Sequence, residues 1–216
     1  MASRRTTRAT AITIVVSAAV WVLLLAGIGS SLLTDDPPAE SPYASGPRGD
    51  DGAAATAGRP IVSAVGFDTG WVEITNTGDA PASLDGWWMC NRPSYFELPA
   101  VTLAPGESLL VSGTDEAAIA DAVAAREPVA TAAAAGSLGS ITAGDGEIGL
   151  YTSSSFGDPT AIVAYVEWGS SGHGRSGTAV EAGIWTDGDF VDPSGAAVIE
   201  ATTDAPTSAA GWSSDG

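Results

Sequence analysis

The chain has no lysine, a single cysteine and a single histidine among its 216 residues. One cysteine cannot close an internal disulfide, although an exported domain ordinarily uses cysteines in pairs. One cysteine and one histidine also fall short of the three or four such ligands of a typical zinc site. Cys90 follows Trp87, Trp88 and Met89, a setting that suits a small buried core residue. Intermolecular pairing is the other use of an odd count, and it requires exposure. Positive charge is scarce as well. Beyond Thr34, five arginines (Arg48, Arg59, Arg92, Arg126, Arg175) face all 26 acidic residues, which leaves that part at −21. Such a surface repels polyanions, and no basic patch is visible, so nucleic acid is not an expected partner. Solubility is a sufficient reason for the acidity, and salt-rich or divalent-cation-rich surroundings are the alternative.

What is present begins with a membrane signal. Arg4, Arg5 and Arg8 precede a stretch, Ala9 to Thr34, that carries no charge and is almost wholly apolar from Ala11 to Leu33. A helix needs about 20 such residues to cross a bilayer core. Arginines on the N-terminal flank favour keeping that end in the cytoplasm. The expectation is a single-pass transmembrane anchor with the C-terminal domain outside the cell. Gly27, Gly29, Ser30 and Ser31 could supply a cleavage site, which would give a secreted protein instead; a signal h-region, however, usually spans only about 7–15 residues.

Composition divides the chain into a basic N-terminus (1–8), the apolar run (9–33), a spacer (34–59), a domain (60–202) and a tail (203–216). The spacer is rich in Pro, acid, Gly, Ser and Ala, a composition that cannot offset ordering entropy. From Pro60 short apolar runs alternate with turn residues. Strands are expected in 60–67, 70–76, 84–90, 94–98, 107–112, 147–153, 160–169, 181–186 and 196–202. In GWVEITN (70–76) the alternation predicts one buried and one wet face. Asn76, Thr77, Gly78 and Asp79 break that strand, through positive φ at Asn or Gly and self-capping by Asp. One helix is expected over 114–126, capped by Thr114, with Asp115 and Glu116 in its first turn and Pro128 beyond its end. Residues 129–146 read as a loop or remain ambiguous. The tail looks loose apart from Trp212. Many short strands and few helices point to a β-sandwich.

GWVEITNTGDAPASLDGWWM (70–89) followed by FELPAVTLAPGESLLV (96–111) resembles the lamin-tail domain. The likeness rests on the Trp-Val-Glu-Ile strand, Asn-Thr-Gly, Leu84-Asp85-Gly86-Trp87, Leu103-Ala104-Pro105-Gly106-Glu107 and the Leu109-Leu110-Val111 strand. EIGLYTS and IVAYVEWG are similar to closing strands of bacterial versions, so the resemblance covers roughly 60–200, with a long insertion at 114–146. It implies an immunoglobulin-like β-sandwich with one short helix insertion, and a module of adhesive or tethering type.

WGSSGHGRSG (168–177) holds the one histidine in a glycine-rich loop. His173, Arg175 and backbone N–H groups could contact an anion or glycan, with Trp168 as a stacking surface. The plainer reading is a structural loop whose arginine pairs with a carboxylate. No Gly-Lys-Ser/Thr follows, so this is not a P-loop. No G-x-S-x-G elbow accompanies His173, which leaves a hydrolase as the weaker alternative. Asp145-Gly-Glu147 and Asp187-Gly-Asp189 offer oxygen ligands for calcium, but they lack the EF-hand pattern and read as turns. Trp87 and Trp88, adjacent on a strand, must point to opposite faces. The candidate binding residues are therefore Trp88, Trp168, His173 and Arg175, with no catalytic residue, metal or cofactor implied. Expected partners are the membrane through the N-terminal helix and an unidentified protein or envelope polymer. Self-association as a structural envelope component is the alternative.

Overall fold

The computed structural model describes residues 57–113, 120–126, 129–134 and 138–214, all within the unit Gly49–Gly216. The apolar run at 9–33, nearly all of the spacer and residues 114–119 lie outside these. Among the described residues no helix is long and apolar enough to cross a membrane.

The alternation of small and branched residues produces strands β1 (Pro60–Gly66), β2 (Trp71–Asn76), β3 (Ala82–Ser83), β4 (Trp88–Asn91), β5 (Ser94–Glu97), β6 (Thr102–Leu103) and β7 (Ser108–Ser112). These are followed by β8 (Val129–Ala134), β9 (Gly146–Tyr151), β10 (Ile162–Trp168), β11 (Val198–Ala201) and β12 (Trp212–Ser213). They form a six-stranded sheet (β12-β11-β1-β2-β7-β8), a four-stranded sheet (β10-β9-β4-β5) and the pair β3-β6. Val62, Val72, Ile74, Leu109 and Val111 from the first sheet share one buried cluster with Met89, Ile148, Leu150, Val166 and Trp168 from the second. The described residues are mostly β and sandwich-like, with two short α-helices among them, α1 (Ala120–Ala125) and α2 (Ser176–Glu181).

The break after β2 is held by hydrogen bonds rather than by positive φ. Asn76 is fully buried. Its Oδ1 accepts from the N–H groups of Arg59 (2.9 Å) and Gly78 (3.1 Å), and its Nδ2 donates to Ala80 O (2.8 Å) and Leu103 O (3.0 Å). Gly78 is required by close approach, since a Cβ there would strike the Ala57 carbonyl and the Arg59 nitrogen. The turn before β7 is type II, with Pro105 ahead of Gly106 at φ 77° and Glu107 N–H donating to Ala104 O (3.0 Å).

Three expectations are corrected. β2 is buried on both faces apart from a half-buried Thr75, because Ala122 and Val123 of α1 pack against Trp71, Leu110 and Ala64 on the side expected to be wet. Residues 129–134 are a strand, paired parallel to β7, so the segment carrying α1 is the crossover between them. Residues 181–186 are not a strand. α2 runs into them and stops at Gly183 (φ 73°), where Gly183 N–H donates to Val180 O and Ile184 N–H to Ala179 O, both at 3.0 Å. That is a Schellman ending, which needs a glycine at the left-handed position. Beyond 202 the chain returns to the sheet at Trp212, the residue set apart in the tail from sequence. β12 pairs with β11 and buries Trp212, and Thr77 donates to Asp204 O (3.1 Å).

Candidate functional site

Strand alternation gives the four-stranded sheet two different faces. Ile148, Leu150, Val166 and Trp168 look inward. The register then sets Glu147 opposite Glu167, Tyr165 opposite Gly149, Cys90 opposite both Gly149 and Tyr95, and Trp88 opposite Tyr151, all on the outer face. The segment after β10 folds back across this face and buries half of it.

The buried half is acidic. Glu167 is inaccessible to solvent and Glu147 is 2% exposed. Tyr165 OH lies 2.8 Å from Glu147 Oε2 and 3.2 Å from Glu167 Oε2. Glu167 Oε1 accepts from Ser176 Oγ (2.9 Å) and Trp185 Nε1 (3.1 Å). Backbone N–H groups complete the set, from His173 to Glu167 Oε2 (3.0 Å) and from Arg175 to Glu147 Oε2 (2.9 Å). The glycine-rich loop thus has internal anions, and those two N–H groups are committed to the protein's own carboxylates. Burial and the charges of both glutamates push the Tyr165 phenol well above its ordinary range.

The half-buried portion is aromatic. Phe156, from the β9–β10 loop, stacks on Tyr95 with centroids 4.1 Å apart and meets Trp88 (5.7 Å) and Tyr151 (5.3 Å) edge-on. Such edge-on and offset pairs add about 1 kcal/mol each beyond area burial. Gly149 makes room for this, because a Cβ there would meet the Tyr151 ring. The Arg175 guanidinium lies 5.6 Å from the Tyr95 centroid and 5.9 Å from that of Phe156, and its Nη2 donates to Tyr95 OH (2.5 Å). Glu147 Oε1, Tyr151 OH and Arg175 Nε are buried without a hydrogen-bond partner among the described residues.

Of the candidates, Trp88, His173 and Arg175 belong to this outer face or its rim, whereas Trp168 does not. The Trp168 ring is fully buried against Phe67 (5.4 Å) and donates to Thr142 O (2.8 Å), so it offers no stacking surface. His173 Nε2 sits 3.1 Å from Asp145 Oδ1, which also accepts from Ser170 Oγ at 2.7 Å. Serine, aspartate and histidine are therefore together in the wrong order: the hydroxyl points to the carboxylate, and a triad needs it on the imidazole. The Ser170 hydrogen bond, with His173, holds Asp145 below the usual carboxylate range. Asp189 Oδ2 accepts from Ala209 N–H (2.7 Å) and its Oδ1 from Phe190 N–H (3.2 Å). No group of acidic, His or Cys side chains among the described residues is arranged to hold a metal.

Sequence reasoning missed Arg92, Tyr95, Phe156 and the pair Glu147 and Glu167. The glutamates carried a signal, since each interrupts an apolar strand at a position facing away from the core. Phe156 carried none, because a loop aromatic shows no periodicity. Compared with protein-family models and with curated proteins, the chain matches none.

Proposed function

We propose that this protein is a non-catalytic binding or tethering module, of lamin-tail type and immunoglobulin-like β-sandwich fold, displayed outside a bacterial cell by its N-terminal apolar segment. One observation carries the reading: Phe156 is stacked among Trp88, Tyr95 and Tyr151, with the Arg175 guanidinium over Tyr95 and Phe156, at a face where Trp88, Tyr95 and Phe156 are half-exposed. Aromatic and arginine side chains held rigid at a surface are the usual energetic anchors of recognition. The neighbouring polar groups favour binding over chemistry, because the Glu167 oxygens and Glu147 Oε2 accept hydrogen bonds from fixed donors and burial pushes the Cys90 thiol up to about 11. A thiol so shifted is not a nucleophile near neutral pH.

The test is cosedimentation of the purified chain with protein-stripped bacterial cell-wall polymer. Trp88→Ala with Phe156→Ala should abolish retention while circular dichroism stays that of the parent. Retention unchanged by the double substitution would remove the aromatic face from the proposal. Sedimentation velocity separates a monomeric binder from the self-associating alternative.

A further inference from the structure

In so acidic a chain an arginine without a carboxylate partner is informative. Arg59 pairs with Asp204 at 3.8 Å, Arg126 with Glu73 and Glu200, and His173 with Asp145. Among the described residues, Arg92 and Arg175 are the two cations with no carboxylate oxygen within 4.0 Å. They occupy one corner. The β4–β5 hairpin turns through Arg92-Pro93 and lays the Arg92 guanidinium against Gly174, next in sequence to Arg175, so that a Cβ on Gly174 would collide with it. Arg92 is exposed. The aromatic group described above begins at once beside Arg175.

We propose that Arg92 and Arg175, with Phe156, Tyr95 and Trp88, form a site for a sugar ring bearing a single carboxylate. This rests on the binding-module reading and names its ligand class. Guanidinium groups present paired N–H donors that match a carboxylate, and half-exposed rings offer an apolar face against which the C–H face of a pyranose packs. Overall charge selects the ligand further. A molecule at −18 repels a dense polyanion over distances comparable to the Debye length, about 8 Å at physiological salt. A lone carboxylate close to two arginines escapes most of that repulsion, so an isolated uronic acid fits where a heavily sulfated or nucleic-acid chain does not. The acidic pair beneath acts as a positioning device, because the Arg175 N–H on Glu147 and the His173 N–H on Glu167 fix the loop that aims Arg175.

The experiment is calorimetric titration of the full-length chain in detergent with a glucuronic-acid disaccharide and with the same disaccharide reduced to its neutral alcohol. Inorganic phosphate and an acidic peptide are the further probes. The acidic disaccharide should bind about ten-fold more tightly than the neutral one. Arg92→Ala, at an exposed position that leaves the fold intact, should erase that difference, as should Arg175→Lys. Equal affinity for acidic and neutral disaccharides would overturn the carboxylate site while leaving a sugar-binding module in place. Phosphate or the acidic peptide binding as tightly as the acidic disaccharide would overturn the sugar assignment. Retention on cell-wall polymer without affinity for either disaccharide would sink this inference and spare the broader function.

Discussion

Glu147 and Glu167 face each other across β9 and β10, and the Tyr165 hydroxyl lies between them at 2.8 and 3.2 Å. The two carboxylates are not equivalent. Glu167 uses both oxygens, taking Ser176 and Trp185 on one and the His173 N–H on the other, while the single Tyr165 proton is shared between this second oxygen and the nearer Glu147 Oε2. Glu147 Oε1 has no partner among the described residues. An amide in place of Glu167 must aim its NH2 at groups that are themselves donors, whereas an amide in place of Glu147 can turn its NH2 toward the empty side. Glu167→Gln should therefore cost about 3 kcal/mol and Glu147→Gln about 1 kcal/mol or less, by the asymmetry between broken and unmade hydrogen bonds. Urea unfolding of the two variants checks this, and equal losses would contradict the hydrogen-bond assignment.

Cys90 sits on the same outer face and gives a pH dependence. Burial first, then the charge of Glu147, raises its thiol from 9.0 to about 11, with Arg175 and Arg92 opposing. A raised folded-state value means that the folded chain holds its proton more tightly than the unfolded one. Stability from this group is complete below about pH 9 and is lost as pH climbs through about 11, by roughly 3 kcal/mol. Cys90→Ala should flatten that part of the profile. A residual decline at higher pH would remain from Tyr151 and Tyr165, whose phenols burial also raises. A thiol reagent at pH 8 should label the native protein only as fast as it opens. Labelling at the rate of a free thiol would refute the buried placement.

How much of this could be read from the sequence depended on how local each cause is. β1, β2, β7, β9 and β10 follow from period-two alternation within a few residues, and the Pro105-Gly106 turn from a dipeptide. The double burial of β2 was not legible, because Glu73 is covered by Arg126, 53 positions along the chain. EAGIWT reads as a strand until Gly183 is known to take a left-handed conformation that closes α2. The Glu147 and Glu167 pair depends on the β9–β10 register, which is fixed by the core face. Trp168 was placed on the wrong side for the same reason, since a single residue of offset decides between core and outer face. The lone histidine drew attention to the right loop, but Arg92 and Tyr95 come from the β4–β5 hairpin and Phe156 from the β9–β10 loop.

Arg126 makes the last prediction specific. Its guanidinium lies 4.5 Å from the Trp71 ring centroid, donates to Glu73 Oε2 at 2.7 Å and also bonds Glu200. The Glu73 side chain is only 10% exposed. Removing the arginine leaves that carboxylate nearly buried and uncompensated, and strips the cover from Trp71. Arg126→Ala should cost about 2 kcal/mol, and Arg126→Lys about half as much, because an ammonium keeps the charge without the fork that serves two glutamates. Much of the loss belongs to the stranded carboxylate, so adding Glu73→Gln to Arg126→Ala should recover about 1 kcal/mol. Thermal unfolding of the parent, the two single substitutions and the double measures the coupling. Strict additivity would mean that Glu73 and Arg126 are neighbours without an energetic bond, and that the cover of α1 over β2 owes its stability to Ala122 and Val123 alone.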